Sequence, residues 1–534
     1  MNKIYIGLLI VTLLLGGCRS DFDDLELESW KPIAALPLVS SEITVNDVLT
    51  ELNHPEEVLI LENGVVALNY KGELVSFSPN DLLALPAQSE SETFQLGGAE
   101  ALAIDNSGGV EVDFPVNVAI PLTIDPSDVR IDEVLLNTGN LSISFTRLQD
   151  ENLTGELEIA ELKDENGNAL AVSFSGNGLV GVAETVSVDL AGYTLEPTFI
   201  PPSTHRVNLG GILTVSDNSM NTAAAGDFVD FSLELTDLVF EHVLGDFGNL
   251  SLGADGDSIS VDLFQNIQSG QFTLNEAIIN LNVTNSFGIP TLVELGQVVS
   301  VNQNTGEVTP LLLENINLSG QTDLGGVPEM ETFTFDNSNS QVTSLFEPAP
   351  KLVLFNISTE SNPDGSPPPS SPNFIMSESA IDIDIDLILP LEGYAENLVV
   401  TNTIPADIGF EEYAGIDSLE FKLFTNNSFP LDISLQAYFL DELGIEVDSL
   451  FLDDTSIISS AEVNANGDVV SSSEQVSFIK LNEERSLNLE NVTDVRFRAR
   501  FNTSDSENEK DVRIKEDQTV DIKLGVKIFG NIEE

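Results

Sequence analysis

Apolar and polar residues alternate with a period of two through most of this 534-residue chain. The alternation is clearest at residues 110–114, 141–145, 258–263, 381–386 and 495–501. Successive side chains of a β-strand point to opposite faces, so this period predicts half-buried antiparallel strands. Long runs of helical periodicity are scarce, and short helices are expected only at Thr44–Leu52 and Pro79–Leu83.

Asn-Gly dipeptides separate several of these strands, at Asn63-Gly64, Asn166-Gly167 and Asn466-Gly467. Both residues accept positive φ, which two-residue hairpin turns require. Many short strands joined by such turns are typical of β-sandwiches. The sequence therefore predicts an all-β fold of tandem antiparallel β-sandwich units, which form an elongated multi-domain chain with few short helices.

Proline-rich sites indicate where the units end. Residues 361–372 hold no core-forming side chain, and their prolines make this segment extended and semi-rigid. Pro201-Pro202 marks a second boundary. The predicted divisions are a signal peptide at 1–17, an acidic tether at 18–30, a β-rich domain at 31–110, a β-sandwich at 111–205, a β-rich domain ending in the Pro/Ser-rich loop at 206–375, and a C-terminal β-sandwich at 376–534.

The chain is strongly acidic, with 88 Asp and Glu residues against 20 Lys and Arg. Nucleic-acid binding depends on Lys and Arg that release counterions from phosphates, so the composition argues against DNA and RNA as partners. Solubility in a saline habitat is the favoured explanation of the charge. The alternative is that divalent cations bridge acidic faces, which makes Ca²⁺ the one cofactor considered.

The N-terminus carries a targeting pattern. Lys3 precedes an apolar run, Ile4–Leu15, which is shorter than the roughly 20 residues of a spanning helix. A secretory signal fits this length better. The run closes with Leu15-Gly16-Gly17-Cys18, which resembles the lipobox of bacterial lipoproteins. This resemblance implies that Cys18, the only cysteine, is lipidated and that the protein is anchored to a membrane.

The residues after Cys18 suggest a direction. Ser20, Asp21, Asp23 and Asp24 resemble the export signal of surface-exposed lipoproteins in Bacteroidota, although a solvated tether has a similar composition. The segment Trp30–Val39 resembles the start of large, uncharacterised outer-membrane lipoproteins of the same phylum. The two resemblances imply that the chain is held at the outer membrane and faces the extracellular side.

A weakly similar sequence pattern occurs three times, at residues 135–143, 281–290 and 421–433. Each copy is a strand run, a kink that contains asparagine, and another strand run. Asparagine tolerates left-handed backbone and proline removes a ladder donor, so the pattern indicates a bulge or a strand break. The second and third copies resemble the kinked strand of LEA-type-2 (WHy-like) β-sandwiches, which implies a fold and no activity.

Catalytic motifs are scarce. The three histidines, His54, His205 and His242, lie in separate segments, and no Gly-x-Ser-x-Gly or His-Glu-x-x-His motif occurs. Two acidic turns, Asp255-Gly256-Asp257 and Asp164–Asn168, match only part of a calcium loop. The metal ligands therefore stay unknown. Carboxylates are too numerous to exclude or to locate a hydrolase pair.

Three arginines stand out in so acidic a chain. Arg496, Arg498 and Arg500 line one face of a predicted strand, and Lys523 and Lys527 recur on the next. One hypothesis is that these strands share a C-terminal sheet with the aspartates of residues 382–386, whose charge the arginines neutralise. The alternative is an exposed basic stripe that docks an acidic partner or a glycan.

The function that the sequence favours is a non-catalytic binding, adhesion or scaffold protein, lipid-anchored at the outer-membrane surface. The expected partners are the membrane itself and a surface protein complex or glycan. One alternative is an accessory lipoprotein of a SusC/SusD-like uptake or secretion complex. Another is a carboxylate-dependent hydrolase.

Overall fold

Antiparallel strands dominate the structure, so the predicted all-β class is confirmed. No described helix is long and apolar enough to cross a bilayer. The computed structural model describes residues 33–530 except for residues 46, 48–57, 107–110, 128, 148–151, 177–179, 217–222, 227, 254–256, 265–266, 303–304, 369, 406–415, 452–454, 483–484 and 486–491.

The described strands are numbered in chain order and divided here into three consecutive groups, which do not coincide with the sheets. The first group is β1 Ile33–Thr44, β2 Val58–Ile60, β3 Val66–Phe77, β4 Gln88–Gln95, β5 Glu111–Leu122, β6 Arg130–Arg147, β7 Asn152–Lys163, β8 Ala169–Gly176, β9 Ala183–Asp189, β10 Thr194–Leu195, β11 Thr198–Ile200, β12 Thr204–Ser216 and β13 Phe228–Asp246. The second group is β14 Ser251–Gly253, β15 Asp257–Ser260, β16 Ile267–Leu274, β17 Ile278–Asn285, β18 Thr291–Leu295, β19 Gln297–Val301, β20 Val308–Leu312, β21 Ile316–Leu318, β22 Glu329–Phe335, β23 Leu352–Phe355, β24 Ile357–Ser361, β25 Asn373–Met376 and β26 Ile381–Pro390. The third group is β27 Glu392–Pro405, β28 Ile416–Asn427, β29 Leu431–Leu440, β30 Glu446–Ser449, β31 Thr455–Ile458, β32 Glu462–Val463, β33 Val469–Ser471, β34 Ser473–Asn482, β35 Asp494–Thr503, β36 Val512–Arg513 and β37 Thr519–Gly530.

Helices are short. Helix α1 is Pro79–Leu82, as predicted, and it begins after Ser78, whose backbone N–H and hydroxyl both donate to the Asp81 carboxylate. Helix α2 is Gly98–Asn106, and 3₁₀ turns occur at Asp262–Phe264, Val342–Leu345 and Ser506–Asn508. Most of the other predicted helix, Thr44–Leu52, lies outside the described residues.

The first large assembly is the N-terminal sheet, formed by β4–β13 and β25, which are its eleven described strands. Its longest pairing joins β6 to β13. Ile143 and Leu233 lie opposite each other in this pair, and both side chains are fully buried. The alternation read from the sequence therefore corresponds to one buried face of this sheet.

The second assembly is the central sandwich. One layer has the strand order β2-β3-β26-β17-β22, and the other has β14-β24-β18-β21, continued by β15-β23-β19-β20. The continuation occurs where Gly296 separates β18 from β19. A Cβ atom at Gly296 would lie 2.9 Å from the backbone oxygen of Asn356, so glycine permits the close approach of the two strands at this point.

The third assembly is the C-terminal sandwich. One layer has the order β1-β37-β28-β34, and the other has β16-β27-β35-β29-β30, with β31 also on β29 and β36 on β27. Strand β1 pairs with β37 from Ile33 opposite Phe529 to Thr44 opposite Thr519. The first described strand is therefore joined to the last, and this pairing links the ranges 31–110 and 376–534 of the predicted division.

The central and C-terminal sandwiches have the same topology. The equivalent strands, with the strand of the central sandwich first, are β3 and β1, β17 and β28, β18–β19 and β29, β20 and β30, β21 and β31, β22 and β34, β23–β24 and β35, and β26 and β37. Corresponding strands have corresponding neighbours in each layer. The chain also leaves the equivalent strands β1 and β3 in the same way. The backbone N–H and hydroxyl of Thr44 both donate to the Asp47 carboxylate, as those of Ser78 do to Asp81.

The kink of the second sequence copy is held by one buried side chain. Asn285 is 1% exposed, and its Nδ2 donates to the backbone oxygens of Ile289 at 3.2 Å and Ser319 at 3.1 Å. Its Oδ1 accepts from the backbone N–H of Phe287 at 3.0 Å. The side chain therefore supplies the hydrogen bonds that the break between β17 and β18 removes from the ladder.

The third copy repeats this arrangement. Asn427 is also 1% exposed, and its Nδ2 donates to the backbone oxygens of Leu431 at 3.0 Å and Ser459 at 2.9 Å. Its Oδ1 accepts from the backbone N–H of Phe429 at 2.8 Å. Asn427 thus stabilises the break between β28 and β29 as Asn285 does between β17 and β18.

The serine after each asparagine also has the same role. The hydroxyl of Ser286 donates to the oxygen of Ala380 and accepts from its N–H, just before β26 begins. The hydroxyl of Ser428 does the same with Thr519 at the start of β37. The two sequence copies are therefore equivalent structural kinks. The first copy, residues 135–143, lies within the single strand β6, whose pairing with β13 shifts register at residues 135–140, so it is an irregular, bulged stretch and not a strand break.

Candidate functional site: an apolar cavity in the C-terminal sandwich

A cavity of about 260 Å³ lies between the two layers of the C-terminal sandwich. Both layers contribute to it, including the first and last described strands and the kink after β28. Its lining residues are Ile43, Val45, Leu391, Asn427, Phe429, Leu431, Ile433, Ile458, Phe501, Ile514, Val520 and Ile522.

The wall of this cavity is hydrocarbon. Among the described residues of the lining, Asn427 is the one polar residue, and its amide is turned to the backbone of the kink. No polar atom of the lining faces the space. Cavities of this kind stay dry and take up apolar molecules, because water there would lack hydrogen-bond partners.

The corresponding place in the central sandwich is filled. Only about 10 Å³ remains there, between Phe287, Ile289 and Thr291 of the kink and Ile381 of β26. Leu82 of α1 and Leu250, which precedes β14, occupy this end of the core. The cavity is therefore not a property that the shared topology imposes.

Burial of equivalent side chains shows the same difference. Thr291 and Ile383 of the central sandwich are fully buried, at 3% and 0% exposure. Their equivalents, Ile433 and Ile522, are only half-buried although they point between the layers. These inward side chains of the C-terminal sandwich are thus covered less completely by their neighbours than those of the central sandwich.

The predicted arginine stripe lies on the outer side of this sandwich. Arg496, Arg498 and Arg500 are on β35, which pairs with β27 and β29. Arg496 contacts Glu446 through its guanidinium and lies over the ring of Tyr438, 5.3 Å from its centroid. These are ordinary cross-strand contacts of an outer sheet face.

The hypothesis that one sheet unites the arginines, the lysines and the aspartates is wrong. The arginines are on β35, Lys523 and Lys527 are on β37, and residues 382–386 are on β26, and these strands belong to three sheets. Charge alternation gives the face of each strand but not its neighbours, since pairing is decided by the whole chain path.

The described histidines have structural environments. His205 is 1% exposed, and its Nε2 accepts from the backbone N–H of Ile131 at 2.9 Å. Burial lowers the pKa of His205, and the nearby Asp132 carboxylate raises it by a smaller amount. His242 lies 3.5 Å from the Glu133 carboxylate on the neighbouring strand β6.

The calcium turns give no described site. Among residues 33–530 outside the gaps named above, no group of three or more His, Cys, Asp or Glu side chains is arranged to hold a metal ion. Asp164 accepts instead from the backbone N–H groups of Asn166 and Asn168, and these hydrogen bonds and the Asn168 side chain lower its pKa. Part of the other turn, residues 254–256, lies outside the described residues.

The predicted anchor region also lies outside the described residues. This holds for Cys18, for Ser20, Asp21, Asp23 and Asp24, and for His54. The cavity was missed by the sequence reasoning, because its lining residues read as ordinary inward positions of alternating strands. The kink asparagine was the one available signal, since it marks the break at the cavity's edge.

No protein-family model and no curated protein matches the chain. A crystal structure of a Parabacteroides distasonis protein, provisionally described as secreted, is 15% identical over 55% of this chain and 90% of its own, with a TM-score of 0.28. The VP2 subviral particle of infectious bursal disease virus is 10% identical over 86% of this chain and 84% of its own, with a TM-score of 0.11.

Proposed function

We propose that this protein is a non-catalytic binding protein, lipid-anchored at the outer-membrane surface, and that the cavity of its C-terminal sandwich binds a small apolar ligand. The observation that carries the ligand site is the hydrocarbon-lined space of about 260 Å³. The anchor and its location rest on the resemblance of residues 15–24 to lipoprotein signals.

The size of the cavity limits the ligand. An engineered apolar cavity of about 150 Å³ binds benzene, so by proportion 260 Å³ holds about ten carbon atoms. A short hydrocarbon chain or a fused pair of rings has this size. Ligand pockets usually add a few polar groups that fix orientation, and their absence from this lining favours ligands without internal polar groups.

The chemistry of the wall supports binding without reaction. General acid–base or nucleophilic catalysis needs a titratable or nucleophilic side chain within reach of the substrate. None of the described lining side chains is of this type, since Asn427 is held in the kink and the others are apolar. No described residue favours the hydrolase or the accessory-subunit alternative over this proposal.

Isothermal titration calorimetry with 1-decanol tests the ligand site. We expect saturable binding of one molecule per chain, with a negative heat-capacity change because apolar surface is buried. Ile433→Phe places a larger side chain in the cavity and should abolish binding. Ile212→Phe is the matched control, because position 212 on β12 is exposed and far along the chain from the cavity.

Two results would contradict the ligand site. One is a native chain that does not bind 1-decanol at its solubility limit, which would mean that the chain itself fills the space. The other is undiminished binding in Ile433→Phe, which would place the bound molecule elsewhere.

The anchor is tested separately by metabolic labelling with an alkyne analogue of palmitate. The native chain should incorporate the label and sediment with outer membranes, whereas Cys18→Ser should do neither. Protease added to intact cells should degrade the native protein if it faces outward. Incorporation of label into Cys18→Ser would contradict the predicted lipidation site.

A further inference from the structure

The outer face of the β1-β37-β28-β34 layer is unusual for this acidic chain. Its outward positions combine lysines with large apolar side chains. We call this surface the lysine–phenylalanine face, and it consists of Lys422, Phe424, Val476, Phe478, Lys480, Lys523 and Lys527.

The apolar members of the face are exposed to solvent. Phe478 is 59% exposed and Val476 is 45% exposed, although both lie in the middle of β34. Lys422 lies over the Phe478 ring at 6.0 Å from its centroid, and Lys523 lies over Phe424 at 5.6 Å. Exposed apolar side chains rimmed by polar groups are typical of interaction surfaces.

The lysines of the face are only partly neutralised. Glu420 lies between two of them, 3.7 Å from Lys480 and 3.6 Å from Lys527. Both lysine side chains remain more than half exposed. Among the described residues, Glu420 is thus the one carboxylate within ion-pair distance of these lysines, while Glu42, Glu474 and Asp521 occupy outward positions at the far end of the same face.

The equivalent face of the central sandwich is built differently. Its positions 280, 332 and 334 are Asn280, Thr332 and Thr334, where the C-terminal sandwich has Lys422, Val476 and Phe478. The Thr334 hydroxyl donates to the Asn280 carboxamide at 2.8 Å, and Thr332 donates likewise to Asn282. Asp384 occupies the place of Lys523. The topology therefore does not require lysine and phenylalanine on this face.

The face also has a polarity along the strands. Lys527 lies opposite Ala35, close to the first described residue, whereas Asp521 lies opposite Glu42 at the other end of β1. Ile33 is 65% exposed and extends the apolar surface at the lysine end. The positive and apolar end is thus the end at which β1 receives the chain from residues 18–32.

We propose that the lysine–phenylalanine face docks on the anionic headgroups of the membrane that carries the anchor, an inference that rests on the anchoring part of the proposed function. Lysines near an anionic surface attract phosphate headgroups, and adjacent aromatic side chains enter the headgroup region. The Debye length is about 8 Å at physiological salt, so acidic groups outside this face are largely screened from the contact, and the carboxylates Glu42, Glu474 and Asp521 lie at its far end. Docking would hold the C-terminal sandwich, which contains the cavity, against the bilayer.

A fluorescent label at the face tests this orientation. The full chain is purified in detergent and reconstituted on phosphatidylethanolamine vesicles containing phosphatidylglycerol, with an environment-sensitive NBD label on Val476→Cys. Thr332→Cys is the matched control, because it is the equivalent position of the central sandwich. The chain without an introduced cysteine reports any labelling of Cys18, the only native thiol.

The expected result is a blue shift and protection from dithionite at position 476 but not at position 332. Substituting Lys523→Gln should lower the ratio of protected to quenched label about fivefold, as should each other lysine of the face. Vesicles of phosphatidylcholine alone, or high salt, should remove the protection. Unchanged melting of the Lys→Gln variants shows that they fold.

Three results would overturn the inference. The first is equal protection at positions 476 and 332, and the second is protection at 476 that does not depend on anionic lipid. The third is a blue shift that appears with rising protein concentration in detergent, because it would mean that the face binds a second copy of the chain. Failure of the anchor is distinguishable, because the chain would then not remain on the vesicles at all.

Discussion

The central and C-terminal sandwiches share a strand order and a kink but differ in their interior and in one outer face. Asn285 and Asn427 hold the two kinks with the same hydrogen bonds. Behind the first kink the core is filled, and behind the second a cavity of about 260 Å³ remains. The comparison teaches that backbone hydrogen bonds set this topology, whereas side-chain volume and surface chemistry vary freely on it.

Removing the kink asparagines tests the shared part of the comparison. Asn285→Ala and Asn427→Ala should each destabilise the chain by about 3 kcal/mol, because each leaves buried backbone groups without partners. Urea unfolding measures this loss. Asn426→Ala is the control, with an expected change below about 0.5 kcal/mol, since its Nδ2 donates to the Asp521 carboxylate at a long 3.5 Å and its Oδ1 accepts no hydrogen bond from the described residues.

A loss below about 1 kcal/mol in either kink variant would break the equivalence. That result would mean that packing, rather than the asparagine, holds that kink.

Overpacking tests the difference between the interiors. Ile381, the first residue of β26, and Val520, the second residue of β37, are equivalent, and both line the space behind their kinks. Ile381→Phe should destabilise the chain by about 1–3 kcal/mol because its core has no room. Val520→Phe should be neutral or stabilising because the ring can enter the cavity. Equal destabilisation of the two variants in urea unfolding would contradict the cavity.

The smallest expected effect is a pH response outside both sandwiches. Burial holds the pKa of His205 in the N-terminal sheet below its ordinary value of 6.5, so the unfolded chain binds a proton more readily there than the folded chain. Its stabilisation is present above pH 6.5 and is lost as the pH falls through the lower, folded pKa. Hydrogen exchange followed by mass spectrometry should show β12 and β6 less protected at pH 5 than at pH 7, after correction for intrinsic rates.

His205→Gln should remove this pH response. The two sandwiches hold no described histidine and should respond alike in both chains. A response in the sandwiches that equals that of β12 would show that the three assemblies unfold together.

Alternation and turn residues predicted the all-β class because a period of two fixes which side chains share a face. The same signal predicted strands at residues 381–386 and 495–501 but joined them wrongly into one sheet. Strand partners depend on pairings between distant segments, such as β1 with β37, for which no local pattern exists. The anchor residues, including Cys18, stay a prediction from the sequence.

The two kinks could be predicted from the sequence, but their surroundings could not. Asn-Ser-Phe in two copies indicated a strand break from the sequence, and the hydrogen bonds of Asn285 and Asn427 explain it. The sequence by itself determined the strand class, the kinks and the acidic composition, because these follow from short-range periodicity and residue chemistry. Only the tertiary structure decided that one kink backs onto a filled core and the other onto a cavity, and that four lysines meet on one face. Both depend on how far apart two layers lie and which distant strands become neighbours.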